Sequence, residues 1–301
     1  QRPEWLLAWC RHLASASLAF VTVRRRGRLV ALLPLVREPN RALALAGAGV
    51  SDYLDVLIDP AEEALASQVI ARVLATSSRP LAAHELRATS FLARARLAGA
   101  SPAIRELPCP ALALPASGPL DEVVPPGFRR RLAYARRRAA REGFRLETAA
   151  SATLDEHLGA LFRLHAARWG RRGQAGVLAA PALEHFHRDA ASALFRSGLL
   201  ALHGLRDPAG ALVAVSYGFR ARDRAYLYLS GFDPALSRYS PGALVVGHSI
   251  DEAYAAGARV CDFLRGAEPY KYDWGAIDDF TFGRSFGAPA GRSEERWSPG
   301  P

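Results

Sequence analysis

The chain contains 301 residues, half of them hydrophobic, which is enough to bury the cores of one large or two ordinary globular domains. No stretch of about 18 uncharged apolar residues occurs, so the sequence predicts a soluble protein without a membrane span. The formal net charge is +10, and the segment from Phe128 to Arg145 supplies +7 of it with eight arginines and one acid, so a single segment makes the protein basic.

The first third of the chain predicts an α/β unit. Helical spacing of apolar residues occurs at both ends of this region, and strand-like apolar runs lie between them. The predicted elements are, in chain order, a helix at 3–14, strands at 18–25, 28–36, 42–47 and 53–58, and a helix at 61–77. The Pro-rich segment at 107–127 cannot sustain a helix, because proline removes a backbone donor, and we expect an extended crossover or linker there.

The second part of the chain predicts a basic helix at 128–143 followed by the element order β-α-α-β-β-β-α-β. The elements after the basic helix are a strand at 144–150, helices at 154–169 and 182–198, strands at 199–206, 211–221 and 225–232, a helix at 241–258 and a strand at 259–266. A residual strand pattern at 280–287 follows. We therefore divide the chain into a first unit at 1–118 and a second unit at 119–301.

The basic helix has one apolar stripe, formed by Phe128, Leu132, Ala135 and Ala139, and carries arginines on its remaining faces. We expect the stripe to pack on the domain and the run from Arg129 to Arg145 to attract an anionic partner. Candidate partners are nucleic acid such as tRNA, anionic lipid, an acidic polymer or glycan, and the phosphates of a cofactor. A solvated charged surface is an equal alternative.

The loop at 233–244 predicts an anion-binding helix start. Ser240 suits the N-cap, Pro241 suits the first helical position, and Gly242 would let a phosphate approach backbone N–H groups at the positive end of the helix dipole. A plain helix start is the alternative. Upstream, Gly231 ends a strand rich in Leu and Tyr, where an isolated glycine indicates a bulge or a close backbone approach.

A family resemblance covers nearly the whole chain and is strongest over residues 224–276. The sequence of residues 226–276, YLYLSGFDPALSRYSPGALVVGHSIDEAYAAGARVCDFLRGAEPYKYDWGA, resembles the GNAT superfamily of N-acetyltransferases, and within it the acetyltransferases of bacterial cellulose and exopolysaccharide biosynthesis. The opening segments PEWLLAWCRHLA, VALLPLV and LAGAGVSDYLDVLID resemble the first half of the same family. With the related Fem-type aminoacyl transferases, the resemblance implies an α/β fold of two tandem acetyltransferase-like units, with mixed sheets flanked by helices and a degenerate first unit.

The resemblance also implies that acetyl-CoA, or another acyl-CoA, is the acyl donor. Its pyrophosphate would lie on the helix start, and its pantetheine arm along the strand that ends near Gly231. The residues expected to bind it are Gly231, Phe232, Arg238, Tyr239, Ser240, Gly242 and Ala243. The match to the family pattern is imperfect, because Arg238 lies four residues before Gly242 instead of three and Tyr239 occupies the position of the expected basic residue.

The segment at 268–273 concentrates two acids, two phenols and an ammonium. Acyl transfer needs a base for the proton of the acceptor and an acid for the leaving thiolate. Glu268 is the candidate base, and Tyr270 or Tyr272 is the candidate acid. Lys271 is a candidate for stabilising the oxyanion or orienting an acidic acceptor. A solvated loop with a structural salt bridge is the alternative.

Further candidate residues flank this cluster. Asp262 completes the candidate catalytic set, with Arg265 or Lys271 as its expected partner. The residues expected to contact the acceptor are Arg168, Trp169, Arg265, Tyr272 and Trp274. Lys271 is the only lysine of the chain, and a lysine kept among so many arginines favours a position where guanidinium cannot replace a compact ammonium.

No metal site is predicted. Cys10, Cys109 and Cys261 form no C-x-x-C pair, and the eight histidines show no H-E-x-x-H spacing. Widely spaced cysteines favour a reducing cytoplasm. The chain has no methionine, so we do not expect Gln1 to be the natural start.

Three functions are compatible with the sequence. The first is an acyl-CoA-dependent acyltransferase that acts on an amine or hydroxyl acceptor of cell-envelope, exopolysaccharide or cellulose metabolism. The second is a Fem-type transferase that takes an aminoacyl group from charged tRNA, with the arginine helix on the RNA backbone. The third is a non-catalytic scaffold that binds an acidic polymer through the same helix.

Overall fold

The structure is a computed structural model that describes residues 2–14, 17–39, 42–170, 176, 178 and 180–287, without the side chains of 168–170. The chain divides into two compact units. Unit 1 takes the residues up to Pro108 and the described residues from Phe280 onward, and unit 2 takes Cys109–Asp279. The division between Pro108 and Cys109 therefore falls earlier than the sequence-based boundary between 118 and 119. The described residues from Phe280 onward, which the sequence analysis placed in the second unit, belong to unit 1.

The helices and strands are numbered here in chain order. The helices are α1 (Pro3–His12), α2 (Glu63–Thr76), α3 (Phe91–Arg94), α4 (Pro126–Arg141), α5 (Leu154–Gly170), α6 (Pro181–Arg196), α7 (Pro241–Ala255) and α8 (Pro269–Asp273). The strands are β1 (Ser17–Leu18), β2 (Val21–Arg25), β3 (Arg28–Leu33), β4 (Leu35–Arg37), β5 (Leu43–Leu45), β6 (Leu57–Ile58), β7 (Leu81–Arg87), β8 (Ile104–Ala113), β9 (Arg145–Thr148), β10 (Leu200–Arg206), β11 (Leu212–Ala221), β12 (Arg224–Phe232), β13 (Val260–Asp262) and β14 (Ile277–Phe286).

Unit 1 is built on a mixed sheet with the strand order β1-β4-β5-β7-β14-β8 and a smaller sheet with the order β2-β3-β6. In the larger sheet β5 runs parallel to β7, while β4 and β14 pair antiparallel with their neighbours β5 and β7. The core lies between the sheets and α2, whose Ile70 and Leu74 are buried with Leu81 and Leu86 of β7. Each fully buried side chain of this size stabilises the fold by about 1.5–3 kcal/mol.

Unit 2 contains a mixed sheet with the strand order β8-β13-β12-β11-β10-β9. All neighbours in it are antiparallel except β12 and β13, which run parallel. Helices cover both faces: at the end of β12, Gly231 points toward α5, and Phe232, on the opposite face, contacts Gly242 of α7. The predicted α/β class, with mixed sheets flanked by helices, is confirmed.

The segment 107–127, predicted as an extended crossover or linker, is extended over its first residues, but it forms a paired strand there because β8 continues to Ala113. Pro108 and Pro110 lack backbone donors and argue against a strand inside a sheet. The carbonyl of Pro110 nevertheless accepts a hydrogen bond from the Phe263 amide at 2.9 Å, and β13 pairs with the segment Ala111–Ala113 beyond the prolines. The strand therefore uses the acceptors that proline retains.

Candidate active site

In unit 2, the parallel strands β12 and β13 pair over only three residues each. The pairing joins Arg224, Ala225 and Tyr226 to the three residues of β13, whereas β12 itself continues to Phe232. Beyond β13 the chain stays beside β8, since the Phe263 amide donates to that strand. The two parallel strands therefore stop pairing after Tyr226, and β12 continues alone to Phe232.

A bulge and a close helix approach shape the last part of β12. The bulge lies at Tyr228, because Tyr217 pairs with Leu229 while Gly218 pairs with Leu227. Gly231, where the sequence predicted a bulge or a close approach, has the close approach: a Cβ there would lie 3.0 Å from the Cβ of Leu164 in α5. The glycine lets the helix pack directly on the strand end.

The helix α7 begins where the sequence predicted a helix start, although its capping differs. Ser240 stands at the N-cap in the left-handed region, with φ 55° and ψ 48°, and its side chain caps no backbone N–H group. The serine hydroxyl is thus not used as an ordinary cap. Pro241 occupies the first helical position as expected. A Cβ on Gly242 would lie 3.0 Å from the ring of Phe232, so the glycine accommodates that ring.

A cavity of about 320 Å³ lies at this place. It brings together six of the predicted site residues, namely Phe232, Ser240, Gly242, Ala243, Tyr270 and Trp274. It also includes residues that the sequence did not single out as binding residues, namely Phe128, Ser230, Ser237, Pro241, Val246 and Asp273. Ser230 and Ser237 belong to no recognisable sequence motif. They could be identified only from their positions on β12 and just before α7.

Lys271 lies in α8 and is buried, with 3% of its side chain exposed. Its ammonium donates to three backbone carbonyls, those of Leu264 at 3.1 Å, Arg265 at 2.8 Å and Gly266 at 3.0 Å. It also forms an ion pair with Glu268 Oε2 at 2.9 Å. Four oxygen atoms thus surround one ammonium, which has three protons to donate. A catalytic role for Lys271 stays a prediction.

The other members of the cluster lie at different depths. Glu268 is half exposed beside Lys271 and does not contribute to the cavity lining. Tyr270 does line the cavity, and its ring packs edge-on against Phe263 with 6.2 Å between centroids. The Tyr272 hydroxyl donates to Asp278 Oδ1 at 2.7 Å, and this hydrogen bond raises the pKa of Tyr272.

Asp262 is buried at the end of β13 and holds the strand pair at the point of separation. Its Oδ2 accepts from Arg224 of β12 at 3.1 Å, and its Oδ1 accepts from the Leu264 amide at 2.9 Å. Arg224, on the neighbouring strand, is therefore a partner that the sequence did not suggest. Arg265 contributes its backbone carbonyl to Lys271.

Tyr239, predicted as a cofactor contact, is buried away from the cavity lining. Its hydroxyl donates to Glu142 just after α4, and this hydrogen bond lowers the pKa of Glu142. The guanidinium groups of Arg138 and Arg238 lie 4.7 Å and 4.9 Å from the centre of its ring. Tyr239 therefore connects the loop before α7 to the arginine helix, which packs through its predicted stripe of Leu132 and its alanine neighbours.

Trp274 closes the wall of the cavity nearest α4. It is buried, and its ring meets that of Phe128 edge-on with 4.8 Å between centroids. The predicted acceptor contacts Arg168 and Trp169 fall at the end of α5, where side chains lie outside the described residues. Within the described part of the chain, no group of three or more His, Cys, Asp or Glu side chains is arranged to hold a metal ion.

The sequence of this region matches a known domain. Residues 126–272 match the family model described as an acetyltransferase (GNAT) domain. The match begins with α4 and ends within α8, so it includes the separated strands, the first turn of α7 and most of the cavity lining. No curated protein matches the chain in sequence. In the residues that the structure describes, no helix has the length and apolar character of a membrane span.

Solved structures resemble nearly the whole chain. The crystal structure of FemX is 12% identical and superposes with a TM-score of 0.65, covering 92% of this chain and 90% of FemX. The structure of L-PGS from Bacillus licheniformis is 11% identical, with a TM-score of 0.61 and coverage of 95% and 91%. The C-terminal domain of a putative lysylphosphatidylglycerol synthetase from Agrobacterium fabrum is 12% identical, with a TM-score of 0.60 and coverage of 93% and 86%. At these identities the likeness establishes a shared fold.

Proposed function

We propose that unit 2 is an acyltransferase that takes an acyl group, acetyl in the simplest case, from a coenzyme A thioester and transfers it directly to an amine or hydroxyl acceptor. The observation that carries this proposal is the place of the cavity. It is bordered by the end of β12 beyond the residues that pair with β13, by the first turn of α7 and by α8. The GNAT match over 126–272 supports the same reaction class.

The donor fits this place in two parts. A pantetheine arm is an extended chain of amides, and it can run along β12 past Tyr226, where the strand is no longer paired with β13. A pyrophosphate can lie at the start of α7, because the first N–H groups of a helix have no partner within it and the helix dipole favours negative charge there. Ser240, Gly242 and Ala243 line the cavity at that turn.

Two side chains in the cavity can move the protons of the reaction. The nitrogen or oxygen of the acceptor attacks the thioester carbonyl, a new bond to the acyl carbon forms, and the carbon–sulfur bond breaks. Asp273 takes the proton that the acceptor loses, and Tyr270 gives its proton to the departing thiolate. Both residues line the cavity, whereas Glu268 and Tyr272 do not. Asp273 has Arg131 within 3.4 Å as a counter-charge.

Fem-type transfer of an aminoacyl group from tRNA is the second candidate. The likeness to FemX and the cationic surface of α4 favour it. A role in cellulose, exopolysaccharide or cell-envelope metabolism and a degenerate first unit are further expectations from the family resemblance, and a cytoplasmic location is an expectation from the widely spaced cysteines. A scaffold function through α4 alone would leave the cavity beside α7 unused.

Saturating acetyl-CoA is expected to stabilise the protein, and substitution of Gly242 by valine is expected to remove that effect. A ligand at 100 times its Kd stabilises the native state by about 2.7 kcal/mol. The Cβ of a valine at position 242 would press on the Phe232 ring and drive it into the cavity. The measurement is the melting temperature with acetyl-CoA, free CoA and deacylated tRNA, each at two salt concentrations.

The matched control is Gly159→Ala in α5, where the nearest atom to a new Cβ is the Arg188 Nη2 at 3.9 Å. That variant should keep the full ligand effect. If acetyl-CoA and free CoA change no melting temperature while tRNA does so at low salt, the donor is not a coenzyme A thioester and the Fem-type function replaces the proposed one.

Tyr270→Phe is expected to lower kcat by about 10²–10⁴-fold, the range that general acid catalysis contributes. The phenyl ring still packs on Phe263, so the affinity for acetyl-CoA should hardly change. The measurement is thiol release from acetyl-CoA with a panel of amine and hydroxyl acceptors. Tyr272→Phe is the matched control, because its hydroxyl is bound to Asp278 outside the cavity. Equal losses in both variants would contradict the role of Tyr270.

A further inference from the structure

A second concavity adjoins the cavity and is strongly cationic. It has a volume of about 400 Å³, and we name it the arginine groove. Its lining consists of Arg130, Arg131, Tyr134, Ala135, Arg238 and Ser240. Three of these six residues carry a guanidinium group, and none carries a carboxylate.

The charges of the arginine groove are weakly neutralised by the protein. Within the described part of the chain, Arg130 has no carboxylate at ion-pair distance, and it is exposed. Arg131 reaches Asp273 only at 3.4 Å, with both side chains about half or more exposed. Arg238 lies over the Tyr239 ring, and the nearby carboxylate of Glu142 balances part of its charge. Positive groups so close together repel one another, so the groove favours an anion with more than one charge.

Tyr134 adds an aromatic surface to the arginine groove. It is 56% exposed, whereas the apolar stripe of α4 is buried. An exposed aromatic ring among arginines is a platform for a planar base, since bases stack on aromatic and guanidinium faces with about 1–3 kcal/mol each. A simple anion such as a carboxylate would make no use of this ring. The groove thus combines the two features that recognise a phosphorylated nucleoside.

The arginine groove is continuous with the proposed donor site, because Ser240 lines both concavities. A ligand whose thioester lies in the cavity has its other end within reach of the groove. Resting on the proposed function, we propose that the arginine groove binds the phosphorylated adenosine end of the donor. Tyr134 stacks on the base, and Arg130 and Arg238 bind the 3′-phosphate, while Arg131 stays paired with Asp273. The groove therefore selects intact coenzyme A over thioesters that lack the 3′-phosphate or the nucleotide.

The test compares CoA, 3′-dephospho-CoA and pantetheine by calorimetric titration into the wild-type chain and three variants. Wild type should bind CoA about 10–100-fold more tightly than 3′-dephospho-CoA, the range for charge-assisted hydrogen bonds to one phosphate. Arg130→Gln should abolish most of this preference. Tyr134→Ala should weaken CoA and 3′-dephospho-CoA equally, by about tenfold. Neither variant should alter the affinity for pantetheine.

Arg137→Gln is the matched control, because Arg137 is an exposed arginine of the same helix outside the groove lining. It should retain the full preference for CoA. If wild type binds CoA and 3′-dephospho-CoA equally, or if Arg137→Gln lowers the preference as much as Arg130→Gln, the groove proposal is wrong while the proposed function stands. If neither CoA nor pantetheine binds, the proposed function itself fails. Binding of deacylated tRNA alone, lost in Arg130→Gln, would assign the groove to RNA.

Discussion

Replacing Lys271 with methionine is expected to lower the free energy of unfolding by about 2–4 kcal/mol. The variant would leave the carbonyls of Leu264, Arg265 and Gly266 without their donor, and a buried acceptor without a partner costs about 1–3 kcal/mol. Glu268 also loses its partner in this variant, but its side chain is half exposed and water can solvate the carboxylate, so the loss of stability from Glu268 is small. The measurement is chemical denaturation of the purified chain, with the midpoint and the slope both recorded.

Lys271→Arg should be destabilising as well, although it keeps the charge. Three carbonyl oxygens converge on one nitrogen, and a compact ammonium with three protons fits that geometry. A planar guanidinium is larger and directs its donors in a fork, so it would force the loop apart. This would explain why lysine is kept at this single position among so many arginines.

Glu268→Gln is the matched control for Lys271. Its carboxylate contacts the same ammonium, but it is half exposed, and pairs of this kind contribute about 0–1 kcal/mol. We therefore expect a small change in stability. The sequence-based alternative, in which Lys271 stabilises the oxyanion, makes the opposite prediction for Lys271→Met: unchanged unfolding and a large loss of thiol release. That pattern would show that the ammonium acts on the substrate.

The second large effect is expected from Gly218→Ala, which should destabilise unit 2 by at least about 2 kcal/mol. A Cβ on Gly218 would overlap the carbonyl oxygen of Tyr226, a backbone atom that cannot rotate away. The strands β11 and β12 would have to separate at the bulge of Tyr228. Because this bulge lies where β12 parts from β13, affinity for coenzyme A should fall together with stability.

Denaturation and calorimetric titration of the same samples measure both effects of Gly218→Ala. Gly159→Ala again serves as the control, since a helix interior gains roughly 0.5–1 kcal/mol from alanine when space is available. A Gly218→Ala chain with wild-type stability would show that the register of β11 and β12 can shift at little cost, and the argument from the bulge would be withdrawn.

Local patterns predicted most elements of unit 2 because hydrophobic periodicity is itself local. The stripe of Leu132, Ala135 and Ala139 on α4 and the start of α7 at Pro241 agree with the sequence analysis. The strand β8 was missed, since Pro108 and Pro110 argue for a linker and only the neighbouring strands reveal which backbone groups are used.

The site itself was predictable in outline and not in detail. The segment Ser240–Ala243 and Tyr270 were found from helix-start chemistry and from family resemblance, and the structure places them around one cavity. The burial of Tyr239 and Lys271 was not predicted. Each lies in a short segment, and the local sequence does not show whether its side chain will face the protein interior or the solvent. The pairing of Asp262 with Arg224 depends on strand register in the same way.

The burial of Lys271 also affects whether an acyl donor can acylate the protein itself. Thioesters acylate neutral amines without any enzyme, and a protein that binds them near its surface lysines accumulates acyl groups on itself. In this chain the single side-chain amine is 3% exposed, donates to three backbone carbonyls and pairs with Glu268, while the arginines carry guanidinium groups, which remain protonated and poorly nucleophilic. A surface rich in arginine can therefore attract an anionic acyl donor without becoming its acceptor.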